Sequence, residues 1–326
     1  MRVVTHEIQG NMTTKISMQA TVPDTLCGNR LDQAAAILFP EYSRGRLQAW
    51  IKEGSLSVNQ KPWRSKDKVN EGDILTLEAE LVSEQAHAAE PKELTIVYED
   101  EDVIVLNKAA NTVVHPAVGN RSGTLLNGLL HHCPELAQIP RAGIVHRLDK
   151  DTTGLMVVAK NLQSHRILVK QLQRRDVERE YEAVVIGVMT AGGTVDLPLG
   201  RHPVQRQKRA VIESGKESVT HYRVEERFRA HTHIRVKLET GRTHQIRVHM
   251  SHIRYPLVGD QMYGGRLQIP KACSGKLASE LKSFRRQALH ARRLGFAHPR
   301  TGELCSWEAE MPEDMAHLLQ VLRDDM

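Results

Sequence analysis

The stretch RAGIVHRLDKDTTGLMVVAKN, from Arg141 to Asn161, places a charged loop between two runs of small aliphatic residues. Short apolar runs of this kind are typical of buried strands, and we therefore expect a strand on each side of the loop. The loop itself carries two cations and two acids around Leu148. Such charges fit a salt-bridged surface turn, and they equally fit an active-site loop in which neighbouring cations keep one acid ionised. The residues alone do not choose between Asp149 and Asp151 as that acid.

The chain from residue 94 onward is rich in strands and contains few long helices. Apolar periodicity predicts strands within residues 94–108, 179–188, 220–228, 233–240 and 287–299, and helices within residues 162–175 and 313–325. Because few helices separate consecutive strands, a doubly wound parallel sheet does not fit. We expect an α+β fold in which a mixed, largely antiparallel sheet spans residues 94–326.

The segment ETGRTHQIRVHMSH, residues 239–252, alternates between two sets of side chains and is interpreted as a strand. In that strand Arg242 and His244 share one face, while Arg247 and His249 share the other face, which is entirely polar. A polar face on a half-buried strand indicates a wetted cleft. The histidines do not predict a metal site, because His244 and His249 point to opposite faces and no cysteine or acid completes a ligand set.

A small basic unit, residues 28–80, precedes the strand-rich region. Helical spacing predicts one helix over Leu31–Leu38 and a second around Trp50, and alternation predicts strands within 55–63 and 69–80. The segment before this unit has weak periodicity, and the segment after it is acidic and punctuated by proline. The predicted organisation is a poorly defined segment, the basic unit, a linker and the strand-rich domain, at residues 1–27, 28–80, 81–93 and 94–326.

Composition restricts the class of protein. The net charge of +6 and the pI near 9.1 favour a polyanionic partner without requiring one, and the 4% of aromatic residues argues against a general single-strand binder. The four cysteines lie far apart, as in a protein with reduced thiols. No leader opens the chain, no apolar run approaches the roughly 18 residues of a membrane span, and no nucleotide-binding or metal-binding motif is present. We expect a soluble, cytoplasmic protein that uses no cofactor.

Four stretches of the chain resemble the RluA/RluD family of pseudouridine synthases. They are EDEDVIVLNKAANTVVHP, VHRLDKDTTGLMVVAK, REYEAVVIG and LETGRTHQIRVHMSHIRYPLVGD, which begin at residues 99, 145, 179 and 238. The second and the fourth contain the highly specific patterns HRLDxxTxG and GRxHQIRxH. Residues 28–80 resemble an S4 RNA-binding domain, which points to the branch of the family that modifies large-subunit rRNA. The chain departs from the family in NKAAN, where Asn-Lys-Pro-x-Gly is common, and at Tyr255, where histidine is usual.

The resemblance implies a reaction and a role for each site residue. Asp149 is implied to attack the target uridine, after which the glycosidic bond breaks and the uracil reattaches through C5. Arg247 is implied to pair with Asp149, and Tyr181 to stack on the flipped uracil and help remove the C5 proton. Arg147 resembles the residue that fills the space left by the flipped base. The residues expected to contact RNA are Arg147, Arg242, His244, Arg44, Arg46, Lys52, Arg201, Arg206, Lys208 and Arg209.

The resemblance also implies the substrate. We expect a monomer that acts on 23S rRNA or a large-subunit precursor, in a hairpin loop such as helix 69, because a base is flipped at least cost where it is unpaired. No metal, cofactor or membrane is expected. Two alternatives stay open, a non-catalytic RNA-binding ribosome assembly factor and an N-glycosidase that uses Asp149 and Asp151 as an acid–base pair. Release of free uracil would indicate the glycosidase, and a lack of isomerisation would indicate the assembly factor.

Overall fold

Two units make up the chain in the computed structural model, residues 1–86 and residues 87–326. The residues described are 3–9, 13–40, 42, 44–82, 88–116 and 120–325. The boundary between the units lies inside the predicted linker, residues 81–93. At the end of that segment, the backbone of Ala88 and of Glu90 is hydrogen-bonded to the first helix of the second unit.

The first unit consists of a four-stranded antiparallel sheet and two helices. Among its described residues the elements are β1 (Val3–Gln9), β2 (Thr13–Thr21), α1 (Leu31–Leu38), α2 (Arg44–Glu53), β3 (Leu56–Val58) and β4 (Ile74–Val82). The strands pair in the order β1-β2-β4-β3. The helices and strands predicted within residues 28–80 are confirmed, and their arrangement is consistent with an S4-like domain.

The segment 1–27 supplies two strands of this sheet. The prediction that it is poorly defined is wrong for the part that the structure describes, because β1 pairs with β2 and β2 pairs with β4 along its whole length. Strand β2 alternates strictly, with Ile16, Met18 and Ala20 buried in the core of the unit and the residues between them exposed. The strict alternation from Ile16 to Thr21 is itself a strand pattern, and the sequence reasoning overlooked it.

The second unit is built on one large sheet. Its described elements are β5 (Ile96–Glu99), β6 (Val103–Lys108), α3 (Leu125–His132), β7 (Thr153–Ala159), α4 (Leu162–Arg174), β8 (Glu178–Ile186), β9 (Gly193–Asp196), β10 (Leu199–Arg201), β11 (Arg209–Val211), β12 (Val219–Arg227), β13 (His231–Leu238), α5 (Gln245–His252), α6 (Gly275–Ser283), β14 (Leu289–Ala297), β15 (Leu304–Glu308) and α7 (Glu313–Asp324). The sheet has the order β5-β6-β7-β14-β8-β13-β12-β9, with β15 on β14, and β10 and β11 form a separate hairpin. Only the β7–β14 pairing is parallel among the described strands. The predicted α+β fold with a mixed, largely antiparallel sheet is confirmed.

The charged loop is followed by a strand but is not preceded by one. Strand β7 confirms the second half of the prediction. The first half is wrong, because residues 140–143 form a short 3₁₀ turn, and only an isolated bridge joins Ile144 to Val158. Arg141 and Ala142 have the left-handed φ values of 55° and 50°, which reverse the chain where an extended strand would continue.

The segment 245–252 is a helix, so the prediction of a strand for residues 239–252 is wrong. Helix α5 begins after His244, which has a left-handed φ of 58°, and its residues from Gln245 to Met250 are all buried. A helix that is buried all round has no polar stripe at 3.6-residue spacing, so its sequence lacks the usual helical pattern. The polar side chains that alternate along it are buried because each has a specific partner, as described below.

The main core of the second unit lies beneath the charged loop. One buried cluster contains Leu148, Tyr181, Ile246 and Leu289. The same hydrophobic core therefore supports the loop, β8, α5 and β14. The loop, β8 and α5 also carry Asp149, Tyr181 and Arg247, which line one cavity. Within the described residues, no helix combines the length and the apolar character needed to cross a bilayer.

Candidate active site

The loop that carries Asp149 is held in place by packing against the core and by hydrogen bonds. Leu148, the neighbour of Asp149, is buried in the core, and the amide N–H of Thr152 donates to the carbonyl oxygen of Asp149 at 3.1 Å. The side chain of Thr152 accepts a hydrogen bond from Gln287 at 2.9 Å. The carboxylate of Asp149 remains 15% exposed, at the surface of a cleft.

A buried lysine supports the same loop. The Nζ of Lys108, a residue that is 2% exposed, donates to the carbonyl oxygens of Ala109, Thr112 and Lys150 at 2.8, 3.2 and 2.9 Å. The three acceptors match the three donors of an ammonium group. Burial lowers the pKa of Lys108 to about 7, and the nearby charges of Asp151 and Asp149 oppose this effect. Lys108 therefore ties strand β6 to the backbone next to Asp149.

Arg247 connects Asp149 to a second, fully buried acid. On helix α5, Arg247 donates through Nε and Nη2 to the two carboxylate oxygens of Asp260 at 2.7 and 2.9 Å, and through Nη1 to Oδ2 of Asp149 at 2.9 Å. Burial lowers the pKa of Arg247, but the bonds to Asp260 and Asp149 outweigh it and raise the pKa above its usual range. Burial raises the pKa of Asp260, and Arg247 reverses that shift and lowers it. The bidentate pair orients the guanidinium that faces Asp149.

The two carboxylate oxygens of Asp149 have different surroundings. Oδ2 accepts the hydrogen bond from Arg247, whereas Oδ1 accepts none from the described residues and has Nε2 of His244 at 3.8 Å. Nδ1 of His244 lies 2.8 Å from the hydroxyl of Tyr263, and the ring of Tyr263 stacks against Arg247 with its centroid 5.1 Å from the guanidinium carbon. Burial lowers the pKa of His244, and Asp149 partly opposes this effect, so the imidazole is neutral at pH 7.

One side of the cleft, here called the tyrosine cavity, has a volume of about 540 Å³ and contains Tyr181 in its wall. The ring of Tyr181 is 6% exposed and belongs to the core cluster beneath the loop. Burial raises the pKa of the Tyr181 hydroxyl, which Arg179 opposes and Asp149 reinforces. The phenol therefore stays protonated at neutral pH, and its side chain lines the same cavity as Asp149.

The other side of the cleft, here called the arm cavity, has a volume of about 770 Å³ and is bordered by residues 205–208. These residues form the tip of the β10–β11 hairpin, and the whole hairpin, residues 199–211, is here called the arm. Arg206 and Lys208 are the cations that the arm contributes to this cavity. The two cavities meet at residues that line both of them, namely Arg147, Asp149, His244 and Arg247. Asp149 therefore lies between a pocket with an aromatic wall and a pocket with a basic wall.

The other residues predicted to contact RNA lie in less direct positions. Arg242 lines the tyrosine cavity and donates from Nε to the carbonyl oxygen of Glu217 at 3.2 Å. Arg201, at the base of the arm, is exposed and lines neither cavity. Arg209 approaches the site through its backbone, since its N–H donates to the Tyr263 hydroxyl at 2.8 Å.

Three predicted contact residues belong to helix α2 of the first unit. Lys52 is exposed, and the guanidinium of Arg46 lies 5.8 Å from the centroid of the Trp50 ring. Arg44 is half-exposed, and it donates two hydrogen bonds to the wholly buried carboxylate of Asp32 at 3.1 and 2.7 Å. Part of the charge of Arg44 is therefore used to hold the first unit together.

Sequence reasoning missed three residues that shape the site. Asp260 and Lys108 lie within the quoted family stretches, but their roles depend on contacts with Arg247 and Lys150, which are 13 and 42 residues distant along the chain. Tyr263 lies three residues beyond the last of these stretches. The acid at position 260, which follows the apolar residues Leu257 and Val258 soon after the arginine-bearing segment, is the signal that could have indicated its role.

Histidines and acids do not assemble into a metal centre at this cleft in the part of the chain that is described. His249 faces Thr220 and the carbonyl oxygen of Leu197 at 2.9 and 3.0 Å. The one group with metal-like spacing among the described residues is Asp100, Asp102 and His298. Its members already bond to one another and to side chains such as Ser164, which donates to Asp102 at 2.9 Å.

Comparison with known proteins gives consistent matches. A family model described as RNA pseudouridylate synthase matches residues 102–252, which contain Asp149, Tyr181 and Arg247. The chain is 60% identical over 314 residues to the ribosomal large subunit pseudouridine synthase D of Pseudomonas aeruginosa, covering 96% of this chain and 98% of that protein. It is 53% identical over 315 residues to the protein of the same name in Escherichia coli strain K12, covering 96% and 97%. The solved structure of human RNA pseudouridylate synthase domain containing 4 is similar with a TM-score of 0.56 and 25% identity, over 70% of this chain and 93% of that one.

Proposed function

Because the chain belongs to the RNA pseudouridylate synthase family, we propose that it converts uridine to pseudouridine in large-subunit ribosomal RNA, with Asp149 as the nucleophile. The observation that supports this role is the unequal environment of the two carboxylate oxygens. Arg247 holds Oδ2, while Oδ1 accepts no hydrogen bond from the described residues and faces the cleft. An oriented, ionised carboxylate with one free oxygen is the arrangement that a nucleophile needs. Asp151 has no comparable partner among the described residues and shapes the loop.

The family resemblance and the positions of the side chains together support the following course of the reaction. The target uridine leaves its stack and enters the tyrosine cavity, where Tyr181 lies against the uracil ring. Oδ1 of Asp149 then starts the reaction at the ribose, the bond between N1 and C1′ breaks, and the uracil turns in place. A new bond then forms between C1′ and C5, and the carboxylate of Asp149 is released unchanged. The C5 proton passes to water and N1 takes up a proton, so the product is an isomer of the substrate. Because burial raises the pKa of Tyr181, the intact phenol serves better as a stacking surface than as the base for that proton.

The walls of the arm cavity suit the RNA backbone. Arg206 and Lys208 face this cavity together with Arg147, and cations on such an arm bind phosphates without reading the sequence. The ribosomal substrate is inferred from the names of the relatives that share more than half of their residues with this chain. A uridine in a hairpin loop, such as that of helix 69, fits best because its flipping costs least. We further propose that the enzyme works as a cytoplasmic monomer.

Replacement of the nucleophile tests the proposal. RNA that is labelled with tritium at uracil C5 releases its label when the C5 proton is lost. We expect Asp149→Asn to reduce this release by about 10³-fold or more while RNA binding persists, and we expect Asp151→Asn, the matched control two residues away, to retain most of the activity. Undiminished release from Asp149→Asn would exclude the assignment, and free uracil among the products of the native enzyme would indicate a glycosidase.

A further inference from the structure

A chain of polar contacts connects the arm to Oδ1 of Asp149, the carboxylate oxygen that accepts no hydrogen bond from the described residues. The backbone N–H of Arg209, on strand β11, donates to the hydroxyl of Tyr263 at 2.8 Å. That hydroxyl lies 2.8 Å from Nδ1 of His244, and Nε2 of the same ring lies 3.8 Å from Oδ1 of Asp149. The four residues come from four separate segments of the second unit. Sequence reasoning assigned only a contact with RNA to His244 and no role to Tyr263.

We assign the directions of the hydrogen bonds so that each donor in the chain of contacts has an acceptor. An amide N–H can only donate, so the Tyr263 oxygen accepts from Arg209 and retains its own proton. Among the described residues, Nδ1 of His244 is the acceptor within hydrogen-bonding distance of that proton. A neutral imidazole that accepts at Nδ1 carries its proton at Nε2. Burial lowers the pKa of His244 and so favours this neutral ring.

We propose that Tyr263 is a positioning residue that holds His244 in its neutral Nε2–H tautomer, so that His244 donates a hydrogen bond to an oxygen of the target nucleotide beside Asp149. This inference rests on the proposed function. The distance of 3.8 Å between Nε2 and Oδ1 is too long for a hydrogen bond, so the donor is not consumed by Asp149. His244 lines both cavities, and its N–H is therefore available to a hydroxyl or carbonyl oxygen of the nucleotide.

The neutral tautomer also protects the nucleophile. An imidazolium at this place would form an ion pair with Asp149 and lower the reactivity of its carboxylate as a nucleophile. A neutral imidazole forms no such ion pair and leaves Oδ1 accessible. His244 occupies a left-handed backbone conformation with φ 58°, which is unfavourable for a residue other than glycine and persists where the surroundings fix it. Tyr263 also accepts a hydrogen bond from the backbone of Arg209. Tyr263 therefore links the orientation of the His244 ring to the position of the arm, which we propose binds RNA.

The tautomer can be read directly in the free protein. Long-range ¹H–¹⁵N correlation spectra of the full chain, labelled at histidine, distinguish a protonated Nε2 from a protonated Nδ1. We expect His244 to carry its proton at Nε2, and we expect Tyr263→Phe, which keeps the ring against Arg247 but removes the hydroxyl, to shift the population towards Nδ1–H. A native ring with its proton at Nδ1, or a Tyr263→Phe variant with an unchanged tautomer, would overturn the proposal.

Kinetics separate this role from a purely structural one. We expect Tyr263→Phe to lower kcat about ten-fold or more, as expected when an aligned donor is lost, with little change in KM. Glutamine at position 244 offers a fixed amide donor that has no tautomers. In the His244→Gln background, Tyr263→Phe should therefore change kcat by no more than about two-fold.

An equal loss of kcat in both backgrounds would show that Tyr263 acts only on the fold, and it would overturn the inference. The tautomer is measured without RNA, so the result of that measurement does not depend on whether the chain catalyses the reaction. If the native chain released no tritium from uridine-labelled RNA, the proposed function would fail, and the substrate contact of His244 would fail with it. A tautomer at Nδ1 in a chain that is active would overturn the inference alone.

Discussion

His146, three residues before Asp149, is a neutral acceptor built into the site. Its Nε2 accepts the backbone N–H of Val157 in strand β7 at 3.1 Å. Burial lowers the pKa of His146 to about 3, and the neighbouring Arg179 adds to this shift. Protonation would turn the accepting nitrogen into a donor that faces another donor. His146 therefore stabilises the junction of the loop with β7 only in its neutral form.

We expect this histidine to make the protein sensitive to acid. Between pH 6.5 and about 3 the unfolded chain binds a proton at His146 that the folded chain does not, so the free energy of unfolding decreases as the pH falls, by up to about 1.4 kcal/mol per pH unit. His146→Gln keeps an acceptor and removes the titration. Urea unfolding between pH 4.5 and 7 should show a shallower pH dependence for this variant, whereas replacement of the exposed His131 by glutamine should leave the slope unchanged. Identical slopes for the native chain and His146→Gln would contradict the assignment.

Gly154 lets the loop of Asp149 enter the sheet. It has φ 112°, and a Cβ atom there would lie 2.2 Å from the carbonyl oxygen of Ala291 on strand β14. We expect Gly154→Ala to reduce the free energy of unfolding by about 3 kcal/mol or more, since backbone strain and a clash with backbone add together. Calorimetry measures this loss as a lower Tm. Gly275→Ala, at an open position with an ordinary φ, is the matched control and should leave the Tm nearly unchanged.

We expect the arm to make a separable contribution to RNA binding. Arg206 and Lys208 border the arm cavity and form no hydrogen bond or ion pair through their side chains with the described residues. Replacement of both by alanine should weaken RNA binding and flatten the plot of log K against log salt concentration by about 1 for each phosphate that the arm no longer binds. The rate at saturating RNA should stay nearly the same. Arg201→Ala, at the base of the same hairpin, should have the smaller effect, and an unchanged salt slope in the double variant would exclude phosphate binding by the arm tip.

Strands and helices with one buried face were predictable from the sequence, and the helix that is buried on all sides, α5, was not. Strand β12 and helices α4 and α7 lie where the periodicity predicts them, because one face meets the core and the other meets solvent. The short apolar runs of β6 and β7 also predicted strands, which are buried on both faces. Helix α5 has no contrast between a buried and an exposed face, and alternation of polar and apolar residues predicted a strand there. The same limit applied to predicting the site from the sequence. Asp149 stood out from Asp151 only through family resemblance, and the partners of Arg247 and Lys108 follow from tertiary contacts that no local pattern encodes.

The division of the chain into two units leads to a last prediction. The buried core of the first unit draws only on residues 16–79, and the buried clusters of the second unit draw only on residues 103–322. Each unit therefore has a hydrophobic core of its own, which is the condition for independent folding. All residues of the two cavities belong to the second unit. Removal of the first unit should then leave the reaction chemistry intact.

We expect residues 87–326 alone to convert uridine in a short hairpin RNA at nearly the native rate when the RNA is saturating. On long ribosomal RNA the same fragment should bind more weakly and with a smaller salt dependence, because the cations of helix α2, such as Arg46 and Lys52, are no longer there to bind phosphates. Filter binding at several salt concentrations, together with single-turnover tritium release, measures both effects. Equal affinity of the fragment and the full chain for long RNA would show that the first unit does not bind the substrate. A folded fragment that is inactive on the hairpin would instead show that the first unit contributes to the chemistry itself, since a loss of affinity is already compensated at saturation.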